Sequence, residues 1–480
     1  MRLRGLIGCL LVLFVAAGCG SRLPDDVLEG LDARSASSDG GTHQAASGTQ
    51  ATGPTSGTSL APSGGSTVVA AGSAVRPGAG PANGGPSTAT GPVAAAGSKC
   101  NGAKSGAPGV TNDEIKVASI VTDSGPLPGA TEGSFRGAAA YFAMVNAAGG
   151  VCGRKITLLK GDDGLDPAKG RGEFLRLEPD VFAFVGSFAV ADSGYIDLIK
   201  STKVPYVALV VDPAGRDPRN VMPRTATGYV NTGPFAWLRQ THPKLSKTAV
   251  LYADVGGVSA NIAGFEAALK RAGWNRLYTS PAAVTTPDYT PEVRQAQDQG
   301  IEFFYLFAFE VNMHIRMVRN MRQQNYDPPI KGSNIAFNTR FSQLLGREGD
   351  GWQNHQTHLL FLDPKERTRS PDLAKFLDWN ERVFPGAQLD LFPVSGWGRA
   401  ALFTEAIQKI QGTITREALL DALYTIKTFN GGGIEIPVDP TTGLGAGCWN
   451  MAVHKGGHWV RQFPTNKLYD CTIGETFKWQ

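Results

Sequence analysis

Between residues 109 and 186, apolar positions follow a strand period, then a helix period, then a strand period again. Strand-like runs occupy 115–121 and 155–160. Between them, apolar residues recur at steps of three and four, which predicts a helix with one apolar face: Phe135, Ala138, Phe142 and Val145. A third strand is predicted at 181–185. This alternation favours a parallel sheet with helices on both faces.

Turn-forming residues separate these elements. Gly149 and Gly150 follow the helix, at a position where a left-handed C-cap favours glycine. After the second strand, Asp166 is placed to cap the next helix and Pro167 to occupy its first turn. The acidic run 162–166 superficially resembles a calcium loop, but the glutamate at EF-hand spacing is absent. A strand end followed by a helix cap is the preferred interpretation.

The same alternation continues along the rest of the chain. Further strands are predicted at 206–211, 248–252, 301–307, 330–332 and 357–362, and further helices at 191–201, 259–271, 289–299, 311–324, 371–383 and 396–410. A β-rich segment follows from about residue 433. About 370 residues are globular, which is more than one hydrophobic core usually spans. The sequence therefore predicts two similar α/β lobes.

The first eighteen residues have the pattern of an export signal. Arg2 and Arg4 precede an apolar run at 6–17, which is too short to span a membrane. Small residues then lead to Cys19, an arrangement similar to the bacterial lipobox, whose cysteine becomes lipidated. We expect a signal peptide at 1–18 and a lipid anchor on Cys19 at the extracytoplasmic face of the cell membrane. An ordinary signal peptide with an incidental cysteine is the alternative.

Residues 19–108 form a segment of different composition. Gly, Ser, Ala, Thr and Pro dominate it, and large apolar residues are scarce, so it cannot bury enough surface to offset its ordering entropy. We expect a flexible linker with a reach on the order of 50 Å.

The charge balance excludes some partners. The chain has 46 basic and 42 acidic residues among 480, dispersed along its length, for a net charge of +4. The charges form no basic stripe of the kind that binds nucleic acid. After the export signal, no apolar run is long enough to cross a membrane.

Four cysteines remain once Cys9 leaves with the signal and Cys19 is lipidated. In an exported protein they are expected to form two disulfides. Three connectivities are possible. We favour the two local pairs, each of which closes one supersecondary unit: Cys100 with Cys152, and Cys448 with Cys471.

Other candidate chemistry is weak. His355 with His358, and His454 with His458, lack an obvious carboxylate or cysteine partner for zinc. We expect solvated surface pairs and no metal, with a hairpin turn at 455–457 between the second pair. No nucleophile elbow, P-loop or dinucleotide-binding fingerprint occurs. We therefore expect neither a cofactor nor enzymatic activity.

Several segments, in order and spacing, resemble the leucine/isoleucine/valine-type substrate-binding proteins of ABC transporters. They are 109–117 (GVTNDEIKV), 124–126 (SGP), 146–156 (NAAGGVCGRKI) and 162–167 (DDGLDP). The resemblance covers nearly all of the chain beyond the linker. It implies a type I periplasmic-binding fold, a monomer in which two Rossmann-like lobes are joined by three crossing strands. By that template lobe 1 is 109–227 and 363–428, and lobe 2 is 228–362 and 429–480.

In this fold, ligands lie beyond the carboxyl ends of the strands, in the cleft between the lobes. The resemblance places ligand-binding residues there, namely Ser124, Ser187, Ala189, Val190 and Asp212 on lobe 1, and Val258, Phe309, Glu310 and Asn334 on lobe 2.

This chain departs from the family at residues that recognise amino acids. The family's hydroxyl positions fall near Val190 and Asp212, and its acidic position falls near Asn334. Valine and aspartate serve a ligand carboxylate poorly, and asparagine does not neutralise an ammonium, although Glu310 is a candidate replacement. We therefore expect a less polar or differently charged ligand.

The sequence leads to one functional expectation and one alternative. The first is a lipid-anchored receptor that captures a small molecule and delivers it to an ABC permease. The alternative is a lipoprotein of the same fold that signals the presence of ligand to a membrane partner without transport.

Overall fold

The computed structural model describes residues 104–215, 218–223, 229–445 and 447–478. The predicted signal peptide, Cys19, the linker up to residue 103 and Cys100 lie outside the described residues. The strands are β1 Lys104–Ser105, β2 Glu114–Val121, β3 Lys155–Asp162, β4 Ala183–Val185, β5 Tyr206–Val207, β6 Val221–Met222, β7 Tyr229–Asn231, β8 Lys247–Ala253, β9 Asn275–Ala282, β10 Phe303–Phe307, β11 Ile330–Ser333, β12 Trp352–Gln356, β13 Thr413–Ile414, β14 Asn450–Lys455, β15 His458–Phe463 and β16 Thr476–Lys478.

The α-helices are α1 Glu132–Ala147, α2 Pro167–Leu177, α3 Ile196–Thr202, α4 Gly233–Thr241, α5 Ile262–Arg271, α6 Thr290–Asp298, α7 Val311–Gln323, α8 Thr339–Leu345, α9 Pro371–Val383, α10 Leu391–Lys409 and α11 Arg416–Thr425. Short 3₁₀ turns occur at Glu178–Asp180, Asp192–Gly194, Pro213–Gly215, Gly256–Asn261, Gly346–Gly349 and Glu366–Thr368. In the described parts of the chain, every helix is too short or too polar to cross a bilayer.

The first sheet is parallel and has the order β3-β2-β4-β5-β6. Its alternate residues face two different buried clusters. Val117 and Val185 belong to the cluster that contains α1 and α10 residues, whereas Ile120 and Phe184 pack with α2 and α3 residues. This alternation is the period-2 pattern of a strand buried on both faces.

The second sheet has the order β15-β14-β12-β11-β10-β8-β9. Its strands β8 to β12 are parallel, and the β14–β15 hairpin is added antiparallel beyond β12. Leu251 and Leu306 face one cluster, while Val250 and Tyr305 face another that contains Phe265 of α5. Two helix-covered sheets of this kind are the fold class predicted from the sequence.

Two crossing segments join the sheets. The backbone of 357–359, which follows β12, pairs with 434–436, which leads toward β14. Leu359 N donates to Ile434 O at 2.9 Å, and Ile436 N donates to Thr357 O at 2.8 Å. Between β6 and β7, where the template has its third crossing, only residue 223 is described.

The disulfide prediction is confirmed for one of the two cysteine pairs. Cys448 and Cys471 are bonded, with their Cα atoms 4.1 Å apart. Cys152 is also disulfide-bonded, but Cys100 lies outside the described residues, so their pairing stays a prediction.

The prediction of solvated histidines is wrong for His358 and His454, which are 6% and 0% exposed. His358 packs against Phe361, and burial lowers its pKa to about 4. His454 lies 3.1 Å from Asp350 Oδ1 and packs against Trp459. The predicted hairpin is present, because His454 pairs with Trp459 across the turn. Among the described residues, no group of three or more His, Cys, Asp or Glu side chains is placed to hold a metal.

Candidate ligand-binding cleft

Each sheet has a switch point, from which the strand order proceeds toward one edge for some strands and toward the opposite edge for the others. In the first sheet this point lies between β2 and β4, and in the second it lies between β8 and β10. Crevices at the carboxyl ends of strands at such points are the usual ligand sites of doubly wound sheets. The loops that follow these strands are therefore the candidate site.

Hydroxyl groups join the two first-lobe loops at this point. Thr122, after β2, accepts a hydrogen bond through Oγ1 from Val190 N at 2.9 Å. Thr131 Oγ1 in turn accepts from Thr122 N at 2.8 Å. Thr122 and Thr131 are buried, so these bonds are shielded from water and hold the loops together.

Two buried carboxylates bind the backbone N–H groups of the same region. Asp163, which is fully buried, accepts from Ala191 N at 2.9 Å, and its burial raises its pKa. Asp192, 1% exposed, accepts from Val211 N at 2.6 Å and from Asp212 N at 3.0 Å. Three N–H groups beyond β4 and β5 are thus occupied by the protein's own carboxylates.

The predicted first-lobe residues differ in exposure. Ser187 and Ala189 are buried, and Ser187 Oγ accepts from Ile120 N at 3.0 Å. Val190 and Asp212 are half-buried, and Asp212 Oδ1 accepts from Ala214 N at 2.8 Å.

Ser124 is the exposed member of the first-lobe set. Its hydroxyl donates to Asp162 and accepts from Lys169 Nζ at 2.9 Å. Burial alone would raise the pKa of Asp162, but the bonds from Lys169 and Ser124 outweigh this and lower it. The hydroxyl is therefore already part of an ionic network within its own lobe.

On the second lobe, three of the predicted residues have structural partners. Phe309 is fully buried against Tyr289 and His314, so its ring belongs to the core. Glu310 is the N-cap of α7, with Oε2 2.7 Å from Asn312 N and Oε1 2.8 Å from Met313 N.

Asn334 Oδ1 accepts from Ala308 N at 2.8 Å, which fixes a residue with positive φ. Val258 is half-buried in the turn after β8. The Glu310 carboxylate already accepts two N–H groups as the N-cap of α7. It is therefore poorly placed to bind a ligand ammonium in place of the family's acidic residue.

The lobes contact each other where α8 begins. Thr339 N donates to Leu389 O at 3.0 Å, and Arg136 of α1 donates to Gln388 O at 3.0 Å. The next residue, Asp390, caps α10 through Phe392 N. Its burial raises its pKa to about 6, against a smaller lowering by Arg136. A carboxyl group whose pKa is raised by burial therefore lies beside this contact.

The sequence does not mark Asp192 or Asp390 as site residues. Asp192 could have been noticed as an acidic residue beyond a predicted apolar strand, but its acceptance of N–H groups 19 and 20 residues away depends on the fold.

Two helix-covered sheets joined by crossing segments, each with a switch point in its strand order, are the architecture of two-lobed binding proteins. The chain belongs to the periplasmic binding protein family, whose model matches residues 114–458. Proteins of this family are extracytoplasmic, bind small molecules and work with ABC transporters.

Individual relatives are distant. The chain is 21% identical to the leucine-specific-binding protein of Salmonella typhimurium over 345 residues, covering 69% of this chain and 87% of that protein. A fatty acid ABC transporter substrate-binding protein from Thermomonospora curvata has a TM-score of 0.62 at 20% identity, covering 78% and 95% of the two chains. A branched-chain amino acid ABC transporter protein from Thermus thermophilus with bound valine has a TM-score of 0.60 at 17% identity, covering 73% and 96%. These structures establish the type I periplasmic-binding fold.

Proposed function

We propose that this chain is a lipid-anchored receptor that captures a small molecule in the cleft and delivers it to an ABC permease. The ligand stabilises the closed arrangement of the lobes by its greater affinity for that arrangement, and a permease can recognise closure. Membership of the family supports capture and delivery. No bond is made or broken in this function.

We further propose that the ligand is less polar than a zwitterionic amino acid, or differently charged. The observation that carries this proposal is that Asp163 and Asp192 occupy three N–H groups beyond β4 and β5, those of Ala191, Val211 and Asp212. A ligand carboxylate placed there would meet carboxylates in place of free donors, which costs binding energy.

Apolar side chains near the same loops agree with this ligand class. Half-buried residues of this kind follow the strand ends of both lobes: Phe188, Val190, Val258 and Ile335. Phe188 also packs edge-to-face on Phe392, with ring centroids 4.8 Å apart. A fatty acid transporter protein has the same fold, so the fold accommodates ligands without an ammonium group.

Calorimetric titration with matched ligands tests the ligand class. Leucine, isoleucine and valine are compared with two leucine analogues, 4-methylpentanoate without the ammonium and isopentylamine without the carboxylate. We expect no amino acid to bind more tightly than about 1 mM, and at least one analogue to bind tenfold better, about 1.4 kcal/mol. Micromolar binding of leucine, isoleucine or valine would contradict the proposal.

The anchor is tested by cell fractionation of the full chain. Cys19→Ala removes the thiol that would carry the lipid, so we expect the protein to leave the membrane fraction. Cys9→Ala is the matched control, because this cysteine lies within the predicted signal peptide, and its product should stay with the membrane. Equal distribution of the two variants would exclude lipidation of Cys19.

A further inference from the structure

Helix α8 carries a serine that contacts a histidine of the hairpin strand β14. Ser342 Oγ and His454 Nε2 lie 3.0 Å apart, and His454 Nδ1 lies 3.1 Å from Asp350 Oδ1. Asp350 lies just before β12, at the amino end of that parallel strand, whereas the candidate cleft lies at the carboxyl ends of strands. The cluster is therefore separate from the ligand-binding site proposed above.

Backbone N–H groups fix the carboxylate that faces the imidazole. Gly457 N donates to Asp350 Oδ1 and Gly456 N donates to Oδ2, both at 3.0 Å. Burial alone would raise the pKa of Asp350, but these two bonds and the bond from His454 outweigh it and lower the pKa. Asp350 is therefore ionised at neutral pH and holds a proton on His454 Nδ1.

That proton determines what the other ring nitrogen does. With Nδ1 protonated, a neutral imidazole accepts at Nε2, so the Ser342 hydroxyl donates to it. Burial lowers the pKa of His454, Asp350 raises it in part, and His458 lowers it further, for a net lowering. The imidazole is therefore neutral at pH 7 and able to take the serine proton.

Packing keeps the imidazole in this orientation. His454 is 0% exposed, and its ring lies edge-to-face with those of Phe341 and Trp459, with centroids 5.2 and 5.1 Å apart. A Cβ atom built on Gly349 would lie 3.3 Å from His454 Nδ1, so backbone closes that side of the ring. Ser342 is half-buried, which leaves the serine partly accessible from solvent.

We propose that Ser342 is an activated nucleophile that accepts an acyl group from aryl esters, with His454 as its general base and Asp350 as a positioning residue. A nucleophile within hydrogen-bond reach of a base that a third group orients is the arrangement that activates a hydroxyl. Aryl esters are the expected class because a phenolate leaves readily with its charge delocalised, so activation of the nucleophile suffices.

The step is an acyl transfer. Ser342 Oγ attacks the ester carbonyl carbon while its proton passes to His454 Nε2. The bond from that carbon to the aryl oxygen breaks, the phenolate leaves with the electron pair, and His454 releases the proton to water. The products are an acyl-serine, a phenolate and a proton.

A second serine–histidine pair in the same lobe provides an internal comparison. Ser333 Oγ lies 2.8 Å from His314 Nε2, but His314 Nδ1 faces the backbone oxygen of Glu310 at 3.1 Å. Ser333 and His314 are 1% and 0% exposed. Because this histidine is oriented by a carbonyl in place of a carboxylate, and because the serine is buried, we expect Ser333 to stay unmodified.

The test incubates the full chain with p-nitrophenyl acetate. We expect a burst of about one equivalent of p-nitrophenolate per chain, and peptide mass spectrometry should place the acetyl group on Ser342. A fluorophosphonate should react at the same oxygen with loss of fluoride, and should thereby block the burst.

Variants assign the roles. Ser342→Ala should abolish the burst, whereas Ser201→Ala, the matched control, should leave it unchanged, because Ser201 is exposed and bonds only a backbone oxygen, that of Leu198. Asp350→Asn should slow acylation about tenfold or more, since the imidazolium that forms loses its counter-charge. Where a variant does not fold, peptide mapping of the parent chain decides.

The pH profile separates positioning from a merely structural role of Asp350. Acylation should rise with pH as His454 loses its proton. Asp350 raises the pKa of His454, so Asp350→Asn should move the inflection to lower pH.

Four outcomes would overturn the proposal. They are absence of a burst, acetyl groups confined to lysine or tyrosine side chains, a burst that survives Ser342→Ala, and an inflection that Asp350→Asn leaves in place. None of them bears on the cleft, whose ligand is tested separately.

Discussion

Individual carboxylates bind backbone N–H groups, cap helices or change the pH dependence of stability, according to their surroundings. Asp192 is buried and binds two backbone N–H groups, which secures the loop after β5. Glu310 is half-buried and caps α7. Asp390 caps α10 through Phe392 N and also lies 3.5 Å from Asn338 Nδ2, but its burial raises its pKa to about 6. The side chain that satisfies a helix terminus therefore also makes stability depend on pH.

Asp390→Asn is expected to stabilise the protein near neutral pH. Between the ordinary pKa of 3.8 and the folded value of about 6, the folded protein keeps a proton that the unfolded chain releases. The free energy of unfolding therefore falls as pH rises through this window. Asparagine retains the cap and removes the charge, so we expect a gain of about 1–3 kcal/mol at pH 7.5.

Denaturant unfolding at pH 7.5 and pH 4 checks this prediction, because the gain should shrink toward zero at the lower pH. Asp166→Asn is the control, since Asp166 caps α2 through Ala168 N from an exposed position; its effect should stay within about 0.5 kcal/mol. Destabilisation by Asp390→Asn at pH 7.5 would show that the ionised carboxylate is preferred in the folded state.

At the scale of elements, helix α1 and helix α10 approach so closely that side chains are excluded. A Cβ atom on Gly137 of α1 would lie 1.8 Å from Pro393 O, and one on Gly396 of α10 would lie 1.8 Å from Ser134 O. Backbone atoms cannot move aside as a flexible side chain can. Glycine is therefore required on both helices.

Gly137→Ala is expected to lower the free energy of unfolding by about 2–4 kcal/mol, because the helices must separate to admit a methyl group. Gly172→Ala is the matched control in α2. Gly172 is exposed and an added Cβ would meet nothing within 4 Å, so alanine should stabilise by up to about 1 kcal/mol through helix propensity. Equal effects in chemical denaturation would contradict the close-packing argument.

The hydrophobic period predicts elements only where apolar residues define them. It located α1 and β8 closely, and the cap at Asp166 is as expected. The strand predicted at 357–362 is instead β12, whose sequence WQNHQ is polar although four of its five residues are buried. Asn354 is fully buried there because its side chain accepts from Phe337 N.

Elements that were not predicted have equally physical causes. Strand β9 lies at the sheet edge and is largely exposed, so it lacks an apolar run. Helix α11 did carry a signal, with Thr415 as its N-cap and Leu419, Leu420 and Leu423 buried. For the cleft, the sequence indicates which loops meet but not which of their N–H groups are already occupied, since Asp192 acts across 19 residues of chain.

At the scale of the whole molecule, the two lobes share buried structure. One hydrophobic cluster contains Val117 and Val185 of the first sheet, Leu251 and Leu306 of the second, and Leu359 of a crossing segment. Two smaller clusters are confined to one sheet each. Domains normally unfold independently when their interface is small, but a continuous core couples them.

We therefore expect the two lobes to unfold in one cooperative transition. A destabilising substitution in either lobe should lower the midpoint temperature of that whole transition. Phe174→Leu acts in the cluster confined to the first sheet, and Phe265→Leu in the cluster confined to the second. Each should cost about 1–2 kcal/mol. Differential scanning calorimetry of the full chain carrying Cys19→Ala should show a single peak that each substitution shifts downward, with calorimetric and van't Hoff enthalpies in agreement. The contrary result is two peaks, of which Phe174→Leu lowers one and Phe265→Leu lowers only the other. The shared cluster would then not couple the lobes, and the crossing segments alone would govern their relative movement.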